Sequence, residues 1–167
     1  QQLLRATRRA RVMALELALS DTPGTAPLFD RAAGGSTHAS LHRAVIEAVH
    51  HAPALTSAVR VTTVDQLAHD LHLKRINLLK IDAEGSELRI VQGAGRLLAA
   101  GAIDALQFEF NEMNTVSRAF LRDFSDLLAG YDLYRLLPDG LVALADQPIF
   151  LREIFAYQNI VALRRAP

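Results

Sequence analysis

The sequence predicts one α/β domain built on a mainly parallel sheet. Ile76-Asn77-Leu78-Leu79-Lys80-Ile81 is a nearly continuous apolar run, the pattern of a central parallel strand covered on both faces. Apolar positions with helical spacing recur over 64–72, 86–100 and 117–129. Strands and helices alternate along the chain, which implies βαβ units with right-handed crossovers. The 167 residues fit a single domain over 1–167 and can bury a real core.

Taken in order, Val12 to Ala18 reads as a short first strand. Ser20-Asp21-Thr22-Pro23-Gly24 is turn chemistry, because Pro presets φ and Gly tolerates positive φ. Ala26 to Asp30 reads as a second strand. Residues 31–57 are a loop or insertion containing Gly34-Gly35-Ser36-Thr37 and a weakly helical stretch around 41–50; long loops in compact domains are often functional. Val59 to Thr63 is a strand. Thr63 and Gln66 form a capping box for a helix whose inner face is Val64, Leu67, Ala68 and Leu71. Strand 76–81 follows, then helix 86–100, ended by Gly101. Gly93 and Gly95 inside that helix point to close helix–sheet packing. Strand 105–112 places Leu106, Phe108 and Phe110 on one face. Helix 117–129 turns Phe120, Leu121, Phe124, Leu127 and Leu128 inward. Tyr131 to Leu137, the Pro138-Asp139-Gly140 turn and Gln158 to Leu163 finish the chain. The last two strands have no obvious helix between them, so one of them is expected to run antiparallel.

Composition excludes several classes. Lys plus Arg and Asp plus Glu both number 18, so no net field draws in nucleic acid or anionic membrane. Arg5, Arg8, Arg9 and Arg11 read as a solvated helix face within Gln1 to Arg9 and beyond. Cysteine is absent, which rules out disulfides, thiolate metal sites and Cys nucleophiles and fits a reducing, cytoplasmic setting. No apolar run is long enough to span a bilayer.

Ligands of open parallel α/β sheets bind outside the carboxyl ends of the strands. There, strand 76–81 delivers Asp82 and Glu84, and the neighbouring strand delivers Glu109, Asn111 and Glu112. Carboxylates gathered so closely imply a cation site or a proton-transfer site, against the plainer role of acids at a helix start. His38 and His42 have i, i+4 spacing but sit in a Ser/Gly-rich segment without the Glu of a zinc helix. His69 and His72 read as surface residues. Ser36 and Ser40 near His38 lack the elbow of a hydrolase.

Lys80-Ile81-Asp82-Ala83-Glu84-Gly85-Ser86-Glu87 resembles the Lys-Ile-Asp-x-Glu-Gly-x-Glu signature of the FkbM-type methyltransferases. Ala18 to Gly24, Val61 to Leu67, Val91 to Ala94, Gln107 to Phe110 and Tyr157 to Val161 are similar in register, so the likeness covers most of residues 11–165. It implies a Rossmann-like class I methyltransferase sheet with one antiparallel strand near the C-terminus. It also implies methyl transfer from S-adenosylmethionine to a hydroxyl oxygen of a sugar, glycan or secondary metabolite. In the family's pattern Asp82, Glu84 and Glu109 are the catalytic residues. Asp82 with Ala18, Leu19, Ser20 and Asp21 holds the cofactor, and the loop 31–57 covers the acceptor. No dedicated metal ligands are implied, although a divalent metal is compatible with the carboxylates. The family's first two strands and glycine-rich turn have no counterpart here, so the chain reads as the C-terminal two-thirds of such a domain. Two other functions fit the same residues: a metal-dependent phosphoester or C–O hydrolase, and a non-catalytic remnant serving as an interaction module.

Overall fold

The computed structural model describes residues 12–31 and 37–166. The arginine cluster, the helix expected over Gln1 to Arg9 and the Gly34-Gly35-Ser36 run lie outside the described residues. Two sheets are present rather than one. The smaller has the order β1-β3-β2, formed by β1 (Ala18–Leu19), β2 (Gly24–Asp30) and β3 (Leu55–Thr62). The larger has the order β4-β5-β8-β6-β7, formed by β4 (Ile76–Ile81), β5 (Ile103–Phe110), β6 (Tyr131–Leu137), β7 (Gly140–Ala143) and β8 (Gln158–Arg164).

Pairing is mixed, which corrects the expectation of a mainly parallel sheet. β1 with β3 and β4 with β5 are parallel. β2 with β3, β5 with β8, β6 with β8 and β6 with β7 are antiparallel. Parallel neighbours need a long crossover, whereas antiparallel ones can be joined by a turn. The Pro138-Asp139-Gly140 turn makes a hairpin of β6 and β7, and β8 slots antiparallel between β5 and β6. An antiparallel member of the last two strands is as expected, although a short helix over Ile149–Arg152 does precede the final strand.

The first strand is shorter than its apolar run. Only Ala18 and Leu19 reach partners on β3, while Val12, Met13 and Leu15 stay exposed. Backbone without a ladder partner is solvated coil, whatever its β propensity. β4 is also misread by its sequence. β5 pairs with it on one side, and no strand pairs with its other edge among the described residues. Leu78 is 57% exposed, so among the described residues this strand is an edge.

Helix α1 (Val45–Val49) is a short π-type turn within the long loop. It buries Val45 and Ile46. Helix α2 (Val64–Asp70) begins at Thr63, whose hydroxyl accepts from the Gln66 amide at 3.0 Å. The expected box is only half made, because the Gln66 side chain donates forward to Asp70 at 2.7 Å. Leu71 falls past the helix end and is exposed.

The helix expected over 86–100 is two helices, α3 (Glu87–Gln92) and α4 (Gly95–Ala99). Its break is filled from α2. The Asp65 carboxylate accepts from the Arg96 and Leu97 amides at 2.8 and 3.1 Å, and the Asp65 amide donates to the Gly93 carbonyl at 3.0 Å. Helix 117–129 is likewise shorter. α5 (Met113–Ser117) stops at Arg118, which takes φ +57, and α6 (Leu121–Leu127) starts afterwards. Glu153, just beyond α7 (Ile149–Arg152), accepts from the Leu121 and Arg122 amides at 2.7 and 2.9 Å. It satisfies donors that the helix itself cannot. Phe120 and Leu127 are exposed, contrary to the inward face expected, whereas Leu121, Phe124 and Leu128 are fully buried.

The core lies where β5 and β8 meet α3 and α6. Leu106, Phe108 and Phe110 of β5 are all fully buried, as their period of two requires. Phe108 stacks on Phe124 with ring centroids 4.4 Å apart, and Phe110 meets the same ring edge-on at 6.2 Å. The Tyr131 hydroxyl is satisfied by the Ile103 carbonyl at 2.7 Å.

Candidate active site

β4 and β5 are parallel, so their carboxyl ends deliver the acidic residues to the same edge. Asp82 leaves β4 half-exposed and ion-paired to Lys80, with Nζ to Oδ2 at 2.9 Å. That hydrogen bond is the main reason the Lys80 ammonium titrates above its usual value. Glu109, next to last in β5, has one oxygen bonded by the Tyr157 hydroxyl at 3.0 Å and the other by the Asn111 amide at 3.3 Å. Asn159 and Gln107 extend this polar row, since the Asn159 amide donates to the Tyr157 oxygen and the Gln107 amide to Asn159. Burial pushes the Glu109 carboxyl above the usual range. The Tyr157 hydrogen bond opposes that shift, and the charges of Asp82 and Glu84 add to it. The charges of Asp82 and Glu84 are therefore both felt at Glu109. Glu112 is exposed at the start of α5 and contributes no contact to this edge through its carboxylate.

The turn between β4 and α3 gives each acid its own direction. Glu84 takes φ +49 and Gly85 φ +97, a left-handed path that is costly for a residue with a Cβ. Glu87 folds back under the turn. Its carboxylate accepts from the Ala83 amide at 3.0 Å and from the Gly85 amide at 3.0 and 3.3 Å. It is almost fully buried. Desolvation raises its pKa, and those amide hydrogen bonds offset part of the rise. Its place at a helix start is thus a structural one.

Glu84 turns away from Asp82. Its Oε1 bonds His38 Nδ1 at 2.9 Å, and its Oε2 lies 3.6 Å from His50 Nε2. The Ser40 hydroxyl donates to the Glu84 carbonyl at 2.7 Å, and Ser40 is itself bridged to Phe29 of β2 through paired main-chain bonds of 2.8 and 2.9 Å. The long loop is thereby clamped onto the acidic turn. The i, i+4 spacing of His38 and His42, already a weak signal in a Ser/Gly-rich segment, brings no pair together, and His38 lies against His50 instead. The loop is not helical at 38–42, so i, i+4 spacing has no geometric meaning there. His42 instead lies beside Gly85, where burial and the Arg89 charge lower its pKa. His50 carries no motif, and only the folded loop brings it in. His69 is exposed and hydrogen-bonds Asp70, in keeping with a surface role.

The residues expected to hold a cofactor divide between two clefts. Ala18 and Leu19 share a cleft of about 320 Å³ with Asp82, Lys80 and the apolar side chains of Leu17, Leu79 and Ile90. Ser20 and Asp21 line a neighbouring cleft of about 360 Å³ with His42 and Arg89. Leu41 and Ser86 border both. Ser20 is buried and its hydroxyl donates to Asp21 at 2.9 Å. Gly93 packs against the Ser20 carbonyl so closely that a Cβ would come within 2.2 Å of it. Close packing thus explains Gly93, but not Gly95, which has open space where a Cβ would stand.

No helix among the described residues is long and apolar enough to cross a membrane. Neither a curated protein nor a solved structure matches the chain. The family model of the methyltransferase FkbM domain matches residues 4–133, which takes in both clefts, the acidic turn and Glu109. With strand-exit acids, clefts and that match over most of its length, the chain belongs to the FkbM methyltransferase family.

Proposed function

We propose that the chain serves S-adenosylmethionine-dependent methyl transfer to a hydroxyl oxygen, with a sugar, glycan or secondary metabolite as acceptor. The observation that carries this is the meeting of Ala18, Leu19 and Asp82 in one cleft at the β4 exit, in a chain of a methyltransferase family. A Rossmann-like methyltransferase sheet is supported by the antiparallel β8 lying between β5 and β6.

The donor set fits the cofactor. Leu17, Leu19, Leu79 and Ile90 give an apolar wall suited to a flat base, and the Asp82 carboxylate suits a cationic group. When bound, the cofactor supplies an electrophilic methyl carbon. Ala18, Leu19 and Asp82 hold it, and Ser20 and Asp21 act from the adjoining cleft. Lys80 holds the Asp82 carboxylate in place through its hydrogen bond. Glu109, with its raised pKa and its Tyr157 and Asn111 partners, takes the acceptor's polar groups and its proton. Glu84 fixes the loop that covers the acceptor. Positioning of this kind supplies much of the rate in a displacement reaction. A cytoplasmic setting belongs to the same proposal and rests on the absence of cysteine.

The hydrolase alternative needs Asp82, Glu84 and Glu109 to share one centre, yet each carboxylate bonds a different partner. The test is transfer of isotopically labelled methyl from S-adenosylmethionine to a panel of sugars and phenolic metabolites, beside calorimetric titration of the cofactor. Labelled product is expected, and Glu109→Gln should cut the rate at least about 100-fold, the scale of losing a catalytic proton acceptor. Failure of the intact protein to bind the cofactor at millimolar concentration would refute the proposal.

A further inference from the structure

We propose that His38, His50 and Glu84 form a site for one first-row divalent cation of the manganese-to-zinc series. Each residue offers one ligand atom, and these atoms all lie within 4.8 Å of one another. The site is separate from the carboxylate set of Asp82 and Glu109, and it stands whether or not the chain transfers methyl groups.

The distances suit a shared ion. Bonds of about 2.0–2.2 Å from a metal to imidazole nitrogen and carboxylate oxygen place adjacent ligand atoms roughly 3–3.5 Å apart. The separations here are 2.9 Å for His38 Nδ1 to Glu84 Oε1 and 3.6 Å for His50 Nε2 to Glu84 Oε2. The two imidazole rings are 4.8 Å apart and tilted by 44°, so a small rotation brings both to one centre.

Burial argues for an occupant independently of distance. The side chains of Glu84 and His50 are only 11% and 14% exposed. Glu84 Oε2 and His50 Nε2 are both buried without a hydrogen-bond partner. Their 3.6 Å separation is too long for a hydrogen bond. Buried polar atoms are nearly always satisfied, and a cation between these two satisfies both at once.

The fold also holds the ligands in place. Glu84 is kept in a left-handed conformation at φ +49, and His51, next to His50, takes φ +50. Non-glycine residues persist in that region when their surroundings enforce it, often at functional sites. Here Ser40 grips the Glu84 carbonyl, and the buried Val45 and Ile46 anchor the loop between the histidines.

The donor set names the metal class. Two imidazoles and one carboxylate suit zinc, iron, cobalt or nickel, whereas magnesium and calcium favour all-oxygen sets. Three protein ligands leave at least one position for water or another oxygen ligand.

The test uses the full chain, stripped with a chelator and titrated with Zn²⁺ by calorimetry and with Co²⁺ by visible absorption. One ion per chain is expected, with tight zinc binding and no comparable heat from Mg²⁺. Histidine ¹⁵N resonances of His38 and His50 should move on adding Zn²⁺, while those of His69 and His72 stay. This readout uses the unsubstituted chain and does not depend on a variant folding. His50→Ala and Glu84→Gln should weaken binding at least about 100-fold, beyond the loss typical of a supporting residue, and His69→Ala should not. Absence of Zn²⁺ and Co²⁺ binding at millimolar concentration would overturn the proposal. So would equal binding by the His50 and Glu84 variants, or resonance changes confined to His69 and His72.

Discussion

Gly93→Ala and Gly95→Ala should shift stability in opposite directions, although the residues stand only two apart, Gly93 capping the end of α3 and Gly95 opening α4. An alanine Cβ at 93 would meet the Ser20 carbonyl oxygen at 2.2 Å, its carbon at 3.1 Å and Thr63 Cβ at 3.3 Å. Real Cβ atoms stay beyond 3.0 Å, so the loop after β1 or the α3–α4 break must move by about 0.8 Å. The obstacle is main chain, and the Ser20 amide is already bonded to Thr62 of β3 at 2.9 Å. Overpacking of this sort costs roughly 1–3 kcal/mol. Alanine in place of glycine returns up to about 1 kcal/mol of helix propensity, and the backbone at φ −69 adds no strain. The net expectation for Gly93→Ala is a loss of about 1–2 kcal/mol. At 95 the Cβ meets nothing within 4 Å, so only the propensity gain of about 0.5–1 kcal/mol remains. Urea denaturation at constant m-value measures both. A Gly93→Ala chain as stable as the unsubstituted protein would refute the packing account of that glycine.

Three further outcomes follow from the same geometry. Glu87 has a raised pKa in the fold, so it binds a proton there more tightly than in the unfolded chain; stability should be fully retained below the usual glutamate range and fall as pH rises through the folded value. Glu87→Gln should flatten that slope, and parallel stability–pH curves for the two proteins would contradict it. Tyr157→Phe removes the hydrogen bond that lowers the Glu109 pKa, so a carboxyl-resolved NMR titration should show Glu109 titrating at still higher pH, with stability changed by less than about 0.5 kcal/mol because Tyr157 is exposed. Phe124→Ala deletes the ring that stacks on Phe108 and meets Phe110 edge-on and should cost about 3–5 kcal/mol, whereas the exposed Leu127→Ala should cost well under half of that, as chemical denaturation would report.

Elements with period-two or period-3.6 burial were legible. β5 and the buried halves of α2 and α6 stand where their patterns place them, because the pattern is the imprint of one covered face. β4 misled because an apolar run reports hydrophobicity, not which neighbours pair with the strand. Both long helices broke for reasons in distant sequence, namely Asp65 capping α4 and Glu153 capping α6. Asp82 and Glu109 could be placed on one edge from topology alone. His50 could not, since its approach to Glu84 depends on a loop fixed by Ser40, Phe29, Val45 and Ile46.

The spacing of the acidic turn then has a physical reading. In an extended strand Asp82 and Glu84 would point the same way, two residues apart. A left-handed step at Glu84, continued by Gly85, breaks that alternation. Asp82 stays with Lys80 on the cleft side, while Glu84 swings toward the histidines of the loop. The step leaves the Ala83 and Gly85 amides pointing inward, and Glu87, the first residue of α3, is the side chain that accepts both. Gly85 is needed because φ +97 disfavours any side chain and Met113 stands 3.4 Å from where a Cβ would be. Three acids within six residues therefore do three different things: one faces the cleft, one binds the covering loop, and one holds the turn that separates the other two.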